Sequence, residues 1–512
     1  MTLVSSLNLS GNPFEHYTAE TEPDIARYAI RPPYLQSIAD RARNLSSFIL
    51  FGDRGAGKSA TRITVYNEIW EAISEQPNGK HPFVVNLIDY SQLLPAFKKG
   101  TLSEKNLTAV TAFVVIEQVL AWLSSLEDSD RTVFIEGLND SEKALIFALL
   151  KGFYFNVPEM DRKMSTSETF KLLSGPWKTR SAVWISQHWE AISKIFVAIV
   201  NALSKKAIDD AADISAEAEA LLKSLIGDGP NTSRAVLNKL VELVQIFGFR
   251  GVCVLVDKVD ETEDTTNSAE ATARLIYPLL AHIQLLEIPG FSWTFFLWSN
   301  VRDHFDSKYP VRLDKIAHAN ITWNIPNLRE MVETRIRFFS SGRLSFSDLL
   351  DPSLNPDDVF RELALLSVNS PRELIKLLDT IVREHDARGD SAPPLLDKTS
   401  LDIGQDKYAV ETIGTWYAAK PLEQVLRLGK TAFVNKDVQA VFKIGDQGAR
   451  VKINGWEDAG LVQRSGTVPS ESGGKQVYRF VVTDERIKRI IERKLHEAVG
   501  ADIEAPDDNE LE

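Results

Sequence analysis

Cysteine is almost missing from this chain, with one, Cys253, among 512 residues. A single thiol excludes an intramolecular disulfide framework and any multi-cysteine zinc site, and it fits a reducing compartment. Its place in the apolar run 252–256 marks it as a buried structural thiol. Histidine is also scarce, at eight scattered positions, and neither an H-E-x-x-H helix nor a Gly-x-Ser-x-Gly elbow occurs. Protease and nuclease chemistry in this chain are therefore not supported. Long apolar runs are lacking as well. The stretches 107–123 and 181–203 are broken by Glu117 and by Gln187, His188, Glu190 and Lys194. Neither reaches the roughly 20 apolar residues a spanning helix needs. Residues 1–13 show no basic start followed by an apolar block, so no signal peptide is read there. A cytoplasmic protein without membrane contact is expected.

Positive charge is in short supply too. The net charge is −13, which rules out a surface coated with nucleic acid and confines any DNA contact to a local patch. Hydrophobic content of 44% and charged content of 25% are ordinary for globular protein. The length exceeds what one core organises, so three or four domains are expected.

What the chain does carry is Gly52-Asp53-Arg54-Gly55-Ala56-Gly57-Lys58-Ser59, set between the apolar run 47–51 and a helix-like segment 60–73. The spacing G-x-x-x-x-G-K-[ST] is that of a phosphate-binding loop. Glycines let backbone N–H groups close around phosphates, Lys58 reaches the β and γ oxygens, and the Ser59 hydroxyl ligates Mg²⁺. The helix N-terminus adds its positive end. Gly52, Arg54, Gly55, Ala56, Gly57, Lys58, Ser59 and Ala60 are the candidate nucleotide-binding residues, with ATP and Mg²⁺ as cofactors.

A second strand is read at 81–87 and a third at 251–257, where four apolar residues end in Asp257. A carboxylate at that strand end can hold Mg²⁺ through water. Alone the pattern is weak; paired with the loop it is strong. Lys258 stands immediately after it, so Asp260 or Glu261 is left as the candidate general base. A fourth strand at 291–298 leads to Asn300 and Arg302, polar residues at the carboxyl edge where a γ-phosphate would be sensed. A fifth strand is expected at 320–323. The helix 328–339 carries Arg329, Arg335 and Arg337, any of which either reaches a neighbouring subunit's nucleotide or lies on a solvated face. Ser370 caps the next helix, with Pro371 in its first turn and Arg372 as a second sensor candidate.

Lys58 and Asp257 lie 199 residues apart, more than a minimal nucleotide fold requires. The resulting division is a lead-in and first half of the core (1–101), a helical insertion (102–247), the second half of the core (248–327), a helical lid (328–385), a linker (386–400), a winged-helix domain (401–500) and an acidic tail (501–512). Trp122, Trp177, Trp184 and Trp189 are read as anchors of a separate helical core within the insertion. Tyr28 and Tyr34 are candidates for stacking on adenine or for plain packing.

The last module is legible as helix (435–442), turn (443–445), helix (446–460) and a two-stranded wing (461–464 and 476–482). That order is a winged helix-turn-helix, whose second helix can enter a DNA major groove. Residues 431–500 hold 12 Lys plus Arg against 9 Asp plus Glu, or +3, within a chain of −13. Gln447, Arg450 and Lys452 on the second helix, with Lys475 and Arg479 on the wing, are the candidate contacts to duplex DNA. Winged helices also bind proteins, and that alternative stays open.

Taken together, the loop at 52–59, the cluster Asp257-Lys258-Val259-Asp260-Glu261, Arg302, the Ser370-Pro371-Arg372 helix start and the terminal winged helix resemble P-loop ATPases of the AAA+/STAND division. The acid cluster is similar to that of NACHT and KAP proteins, and the core order with its winged helix is similar to origin-recognition and Cdc6-like ATPases. The resemblance implies an α/β parallel-sheet P-loop core with a helical insertion, an α-helical lid and a C-terminal winged helix. It also implies a slow ATPase acting as a switch on DNA or an effector, and homo-oligomers. Lys58 and Ser59 carry over as phosphate and Mg²⁺ ligands, Asp257 as the Mg²⁺ acid, and Arg302 and Arg372 as sensors. Bacterial relatives of this kind often serve antiviral defence with an effector encoded beside them. The rival readings are a scaffold that binds ATP without turnover, and a DNA-loading ATPase of replication or transposition.

Overall fold

The computed structural model describes residues 2–19, 22, 25–28, 33–76, 80–158, 162, 211–227, 229, 231–266, 268–469 and 476–496. Trp177, Trp184, Trp189, Lys475 and the acidic tail lie outside them, as does the side chain of Tyr34. The chain divides into two compact units, Ala19–Thr322 and Met1–Thr18 with Trp323–Glu512.

The first unit is built on five parallel strands: β1 (Phe48–Gly52), β2 (Phe83–Leu87), β3 (Val252–Val256), β4 (Phe291–Trp298) and β5 (His318–Asn320), in the order β2-β3-β4-β1-β5. β1, β2 and β3 are buried at every residue, as expected for strands covered on both faces. β4 runs between β1 and β3 with Gly52 opposite Trp298 and Val256 opposite Phe295. That order sets the carboxyl ends of the loop-bearing and acid-bearing strands on either side of β4. The fifth strand is shorter and earlier than expected at 320–323, because pairing with β1 covers only Ile49 to Phe51.

Helix α1 (Pro33–Arg43) leads in, and α2 (Lys58–Glu75) follows the loop and packs on β1, β2 and β4. Helices α3 (Glu104–Ser125) and α4 (Thr232–Ile246) pack on each other, α3 also on β2 and α4 on β3 and β4. The insertion 102–247 is thus not wholly separate. Its first and last helices belong to the core layer, where Gln118 Nε2 donates to the Val84 carbonyl at 2.9 Å and to the Tyr66 hydroxyl at 2.8 Å. Trp122 anchors that seam edge-on to Phe249, with ring centroids 5.0 Å apart, and Phe249 meets Phe83 at 4.8 Å. By length and composition α3 is apolar enough to cross a membrane, contrary to the sequence reading, yet 83% of its most apolar window is buried inside the protein. Helix α5 (Ala269–Leu280) follows the acid cluster.

The second unit holds α6 (Ile325–Phe339), α7 (Pro356–Leu366), α8 (Pro371–Ala387), α9 (Lys398–Ile413) and α10 (Ala419–Leu428). Residues 1–18 belong here rather than to the first unit: the Leu3 amide donates to Asp386 Oδ1 at 2.7 Å and the Ser10 amide to the Phe339 carbonyl at 2.9 Å. The expected linker 386–400 is instead a packed turn. Leu396 is buried and exchanges backbone hydrogen bonds with Leu349 and Asp351. Past it α9 lies along α8 so closely that a Cβ on Gly404 would sit 2.6 Å from Ile381 Cα.

The winged helix forms with a longer wing and one more strand than read: β6 (Ala432–Val434), α11 (Asn435–Phe442), α12 (Asp446–Asp458), β7 (Val462–Pro469), β8 (Gln476–Val482) and α13 (Glu485–Arg493), with sheet order β6-β8-β7. Lys443 makes the turn between the helices at φ 54°. Phe433, Phe442, Trp456 and Phe480 fill its core.

Candidate nucleotide site

Residues 52–59 span the end of β1, the loop after it and the start of α2. Gly55 and Gly57 have φ of 79° and 88°, a region glycine enters without steric penalty, and Gly57 is the N-cap of α2. Ser59 and Ala60 occupy the first turn and are partly exposed. Lys58 is only 8% exposed, and its Nζ donates to the carbonyls of Gly52 at 2.9 Å and Asp53 at 3.1 Å. Its stem is fixed by packing: a Cβ on Gly52 would meet Lys58 Cγ at 3.3 Å, Ile321 Cδ1 at 3.2 Å and Ala56 Cβ at 3.4 Å.

Asp257 caps β3 and is 1% exposed. Its Oδ2 accepts from Arg62 Nε at 3.0 Å, and Arg62 Nη1 donates to Asn86 Oδ1 on β2 at 2.9 Å. The Asp257 carbonyl accepts from the Tyr90 hydroxyl at 2.8 Å, which also donates to Leu87. Burial, reinforced by Asp257, pushes the Tyr90 phenol well above its ordinary range, so it stays a donor.

The acid cluster is also tied to the loop. Arg54 Nε donates to Asp260 Oδ2 at 3.2 Å and Arg54 Nη2 to the Asp260 carbonyl at 3.2 Å, while its guanidinium lies 4.5 Å from the centre of the Trp298 ring. Asp260 is buried, whereas the Glu261 side chain is 50% exposed and faces Lys258 at 3.9 Å. Lys258 itself is left-handed at φ 62°, a strained backbone for a residue with a side chain. Of the two base candidates, Asp260 is thus held by a cation and Glu261 reaches solvent.

Asn300 is exposed just beyond β4, and the Arg302 guanidinium lies 5.8 Å from the Phe51 ring centre. Arg372 stands in the first turn of α8, in the second compact unit, under the Ser370 cap. Arg335 is 3% exposed and donates to the Pro13 carbonyl at 2.8 Å, so it holds its own unit together and does not reach another subunit. Tyr28 is buried and bonded to Glu22.

On the winged helix, Gln447, Arg450 and Arg479 are exposed. Arg450 pairs with Asp446 at 2.8 Å, and Lys452 Nζ lies 4.9 Å from the Phe442 ring centre. Arg489 binds Asp406 at 2.7 Å, Asp402 at 3.1 Å and Glu362 at 3.2 Å, and Arg493 binds Asp406. Arg486 is fully buried against Asp484. Arg489 and Arg493 are thus paired with acids outside residues 431–500, and Arg486 with one inside them.

Sequence reasoning placed Arg54 among the nucleotide-binding residues without its tie to Asp260, and missed Arg62, Asn86 and Tyr90. The signal for Arg62 was present: it lies four residues after Lys58, on the same helix face, beside strands too apolar to leave it unpaired.

No family model matches the chain, and no curated protein matches it. Among solved structures it is similar to the Orc1 protein of Aeropyrum pernix in complex with DNA, at 13% identity over 93% of this chain and 96% of that one, with a TM-score of 0.36. It is similar as well to the Aeropyrum pernix Orc2 protein in ADPNP–ADP complexes, at 14% identity over 92% and 98%, with a TM-score of 0.40. Cdc6p from Pyrobaculum aerophilum matches at 10% identity over 93% and 99%, with a TM-score of 0.31. The functional reading rests on the site's own geometry.

Proposed function

We propose that the chain is a Mg²⁺-dependent ATPase that works as a nucleotide-driven switch, assembling with copies of itself on duplex DNA or on an effector protein in a defence or genome-maintenance setting. The observation that carries the reading is the glycine cradle at the end of β1, with Lys58 folded over it and Asp257 at the end of β3, the two strands flanking β4. The cradle fits a triphosphate: the left-handed glycines let backbone N–H groups turn toward a phosphate, and the Lys58 Nζ donates to the Gly52 and Asp53 carbonyls, weaker acceptors than phosphate oxygens. Ser59 and Asp257 are the residues that would hold Mg²⁺, which supplies charge neutralisation between β and γ oxygens. Glu261 and Asp260 are the proposed base, and Asn300, Arg302 and Arg372 the proposed γ-phosphate sensors.

Steady-state phosphate release by the full chain tests the reading. Turnover in the wild type, abolished by Lys58→Ala and reduced by Glu261→Gln, is expected; a Lys58→Ala protein that hydrolyses like wild type removes it.

A second reading, a scaffold that binds ATP without turnover, is favoured by one arrangement: Asp260 is engaged by Arg54 and Glu261 by Lys258. Tight ATP binding with no release above the Lys58→Ala background selects it. Duplex contact through α12 and the wing is tested by Arg450→Ala with Lys452→Ala. Unchanged affinity for duplex DNA moves the module's role to protein binding.

A further inference from the structure

Two arginines of the β1–α2 element each take one carboxylate of the acid cluster: Arg54 from the loop engages Asp260, and Arg62 from the helix engages Asp257. The second pair is the more consequential because it is closed to water, with side-chain exposures of 0% for Arg62 and 2% for Asp257. A carboxylate this deep without a countercharge is strongly disfavoured. Arg62 is held in turn from β2. Asn86 Oδ1 accepts from it while Asn86 Nδ2, buried, has no hydrogen-bond partner. The amide is thus oriented for the arginine, leaving its own donor unused. With Tyr90 on the Asp257 carbonyl, the residue at the end of β3 is fixed from α2, from β2 through Arg62, and from the loop after β2.

We propose that Arg62 is a positioning residue that acts through Asp257 and sets how strongly nucleotide binding depends on Mg²⁺. Its guanidinium holds the Asp257 carboxylate in place before any nucleotide arrives. The same charge offsets the carboxylate's pull on a divalent cation, so the metal is recruited mainly by the nucleotide's phosphates. In the opposite case, an unopposed Asp257 would repel a metal-free triphosphate and hold a metal-bound one. The Arg62 ion pair would therefore let ATP dock with or without its metal.

This inference rests on the nucleotide-site reading, and the test separates the two. A fluorescent ATP analogue is titrated into the full chain in excess Mg²⁺ and in EDTA, and the ratio of the EDTA Kd to the Mg²⁺ Kd is read. Absence of binding by wild type in both buffers overturns the nucleotide site itself. Given binding, Arg62→Met is expected to raise the ratio about tenfold, equivalent to about 1.4 kcal/mol. Arg62→Lys should keep the wild-type ratio, and the Arg62→Met, Asp257→Asn double variant should lose the rise. Arg62→Gln, which keeps a buried donor for Asn86 and Asp257, replaces Arg62→Met if the latter does not fold. A folded Arg62→Met or Arg62→Gln protein with an unchanged ratio overturns the proposal, as does a rise that persists without Asp257.

Discussion

Gly52→Ala probes the loop more sharply than removing a charged residue, because it adds one methyl group and leaves every functional group in place. The new Cβ would meet Ile321 Cδ1 at 3.2 Å, Lys58 Cγ at 3.3 Å and Ala56 Cβ at 3.4 Å. All three neighbours are side-chain atoms, and Gly52 ends a strand without a left-handed backbone, so the site can yield by a few tenths of an ångström. Overpacking of this kind costs about 1–3 kcal/mol of stability. The neighbour that gives decides the function. Ile321 and Ala56 are walls, but Lys58 is a lever whose Nζ is set by bonds of 2.9 Å and 3.1 Å at the loop. Shifting its stem weakens a charge-assisted bond to phosphate worth about 1.5–3 kcal/mol. Loss of about half of that weakens the Kd about three- to tenfold. The assay is fluorescent ATP-analogue titration beside thermal unfolding, with Gly414→Ala as control, where a Cβ meets nothing within 4 Å. ATP affinity within about twofold of wild type, in a protein whose melting temperature has dropped, would refute the idea that packing against Gly52 places Lys58.

Other outcomes follow from the same geometry. Asp484 caps α13 and holds the fully buried Arg486 at 3.0 Å and 2.6 Å, so Asp484→Ala strands a buried guanidinium and should cost about 3–5 kcal/mol of second-unit stability. Adding Arg486→Met should recover part of it, and a loss under 1 kcal/mol by denaturant unfolding counts against the pair. His385 sits beside Ser400 at 2.9 Å, and burial holds its pKa below the usual 6.5. The unfolded chain therefore takes up that proton first, so second-unit stability is full above about pH 6.5 and falls as the pH drops from there toward the lowered folded value. His385→Gln should flatten this slope, and an unchanged slope assigns the acid sensitivity elsewhere. Cys253, whose thiol burial pushes up to about 11, should resist thiol reagents in the native protein and react only on unfolding; fast labelling of native protein contradicts its placement in β3.

The elements that sequence reading located well are those whose signal is local. β4 was bounded at 291–298 by its apolar run, and the winged helix by caps and turn residues at 435–482. The conformation of the loop 52–59 was legible because Gly55 and Gly57 take positive φ at fixed spacing before α2. What stayed hidden depends on distant partners. The segment 386–400 has the turn chemistry of a linker, and only the burial of Leu396 and the approach of Gly404 to Ile381 distinguish it from one. The +3 charge of the last module overstated its outward face, since Arg489 and Arg493 are committed to acids on α9 and α7. Arg62 was legible in part: its spacing from Lys58 was visible, but its partner lies 195 residues away.

The central claim is that the loop at 52–59 binds a triphosphate through Lys58. Isothermal titration of ATP into the purified full chain, with Mg²⁺, tests it most directly against Lys58→Ala in the same buffer. The account predicts saturable one-to-one binding in the wild type, weakened at least about tenfold in a folded Lys58→Ala protein. Equal ATP affinity in the two folded proteins would contradict it.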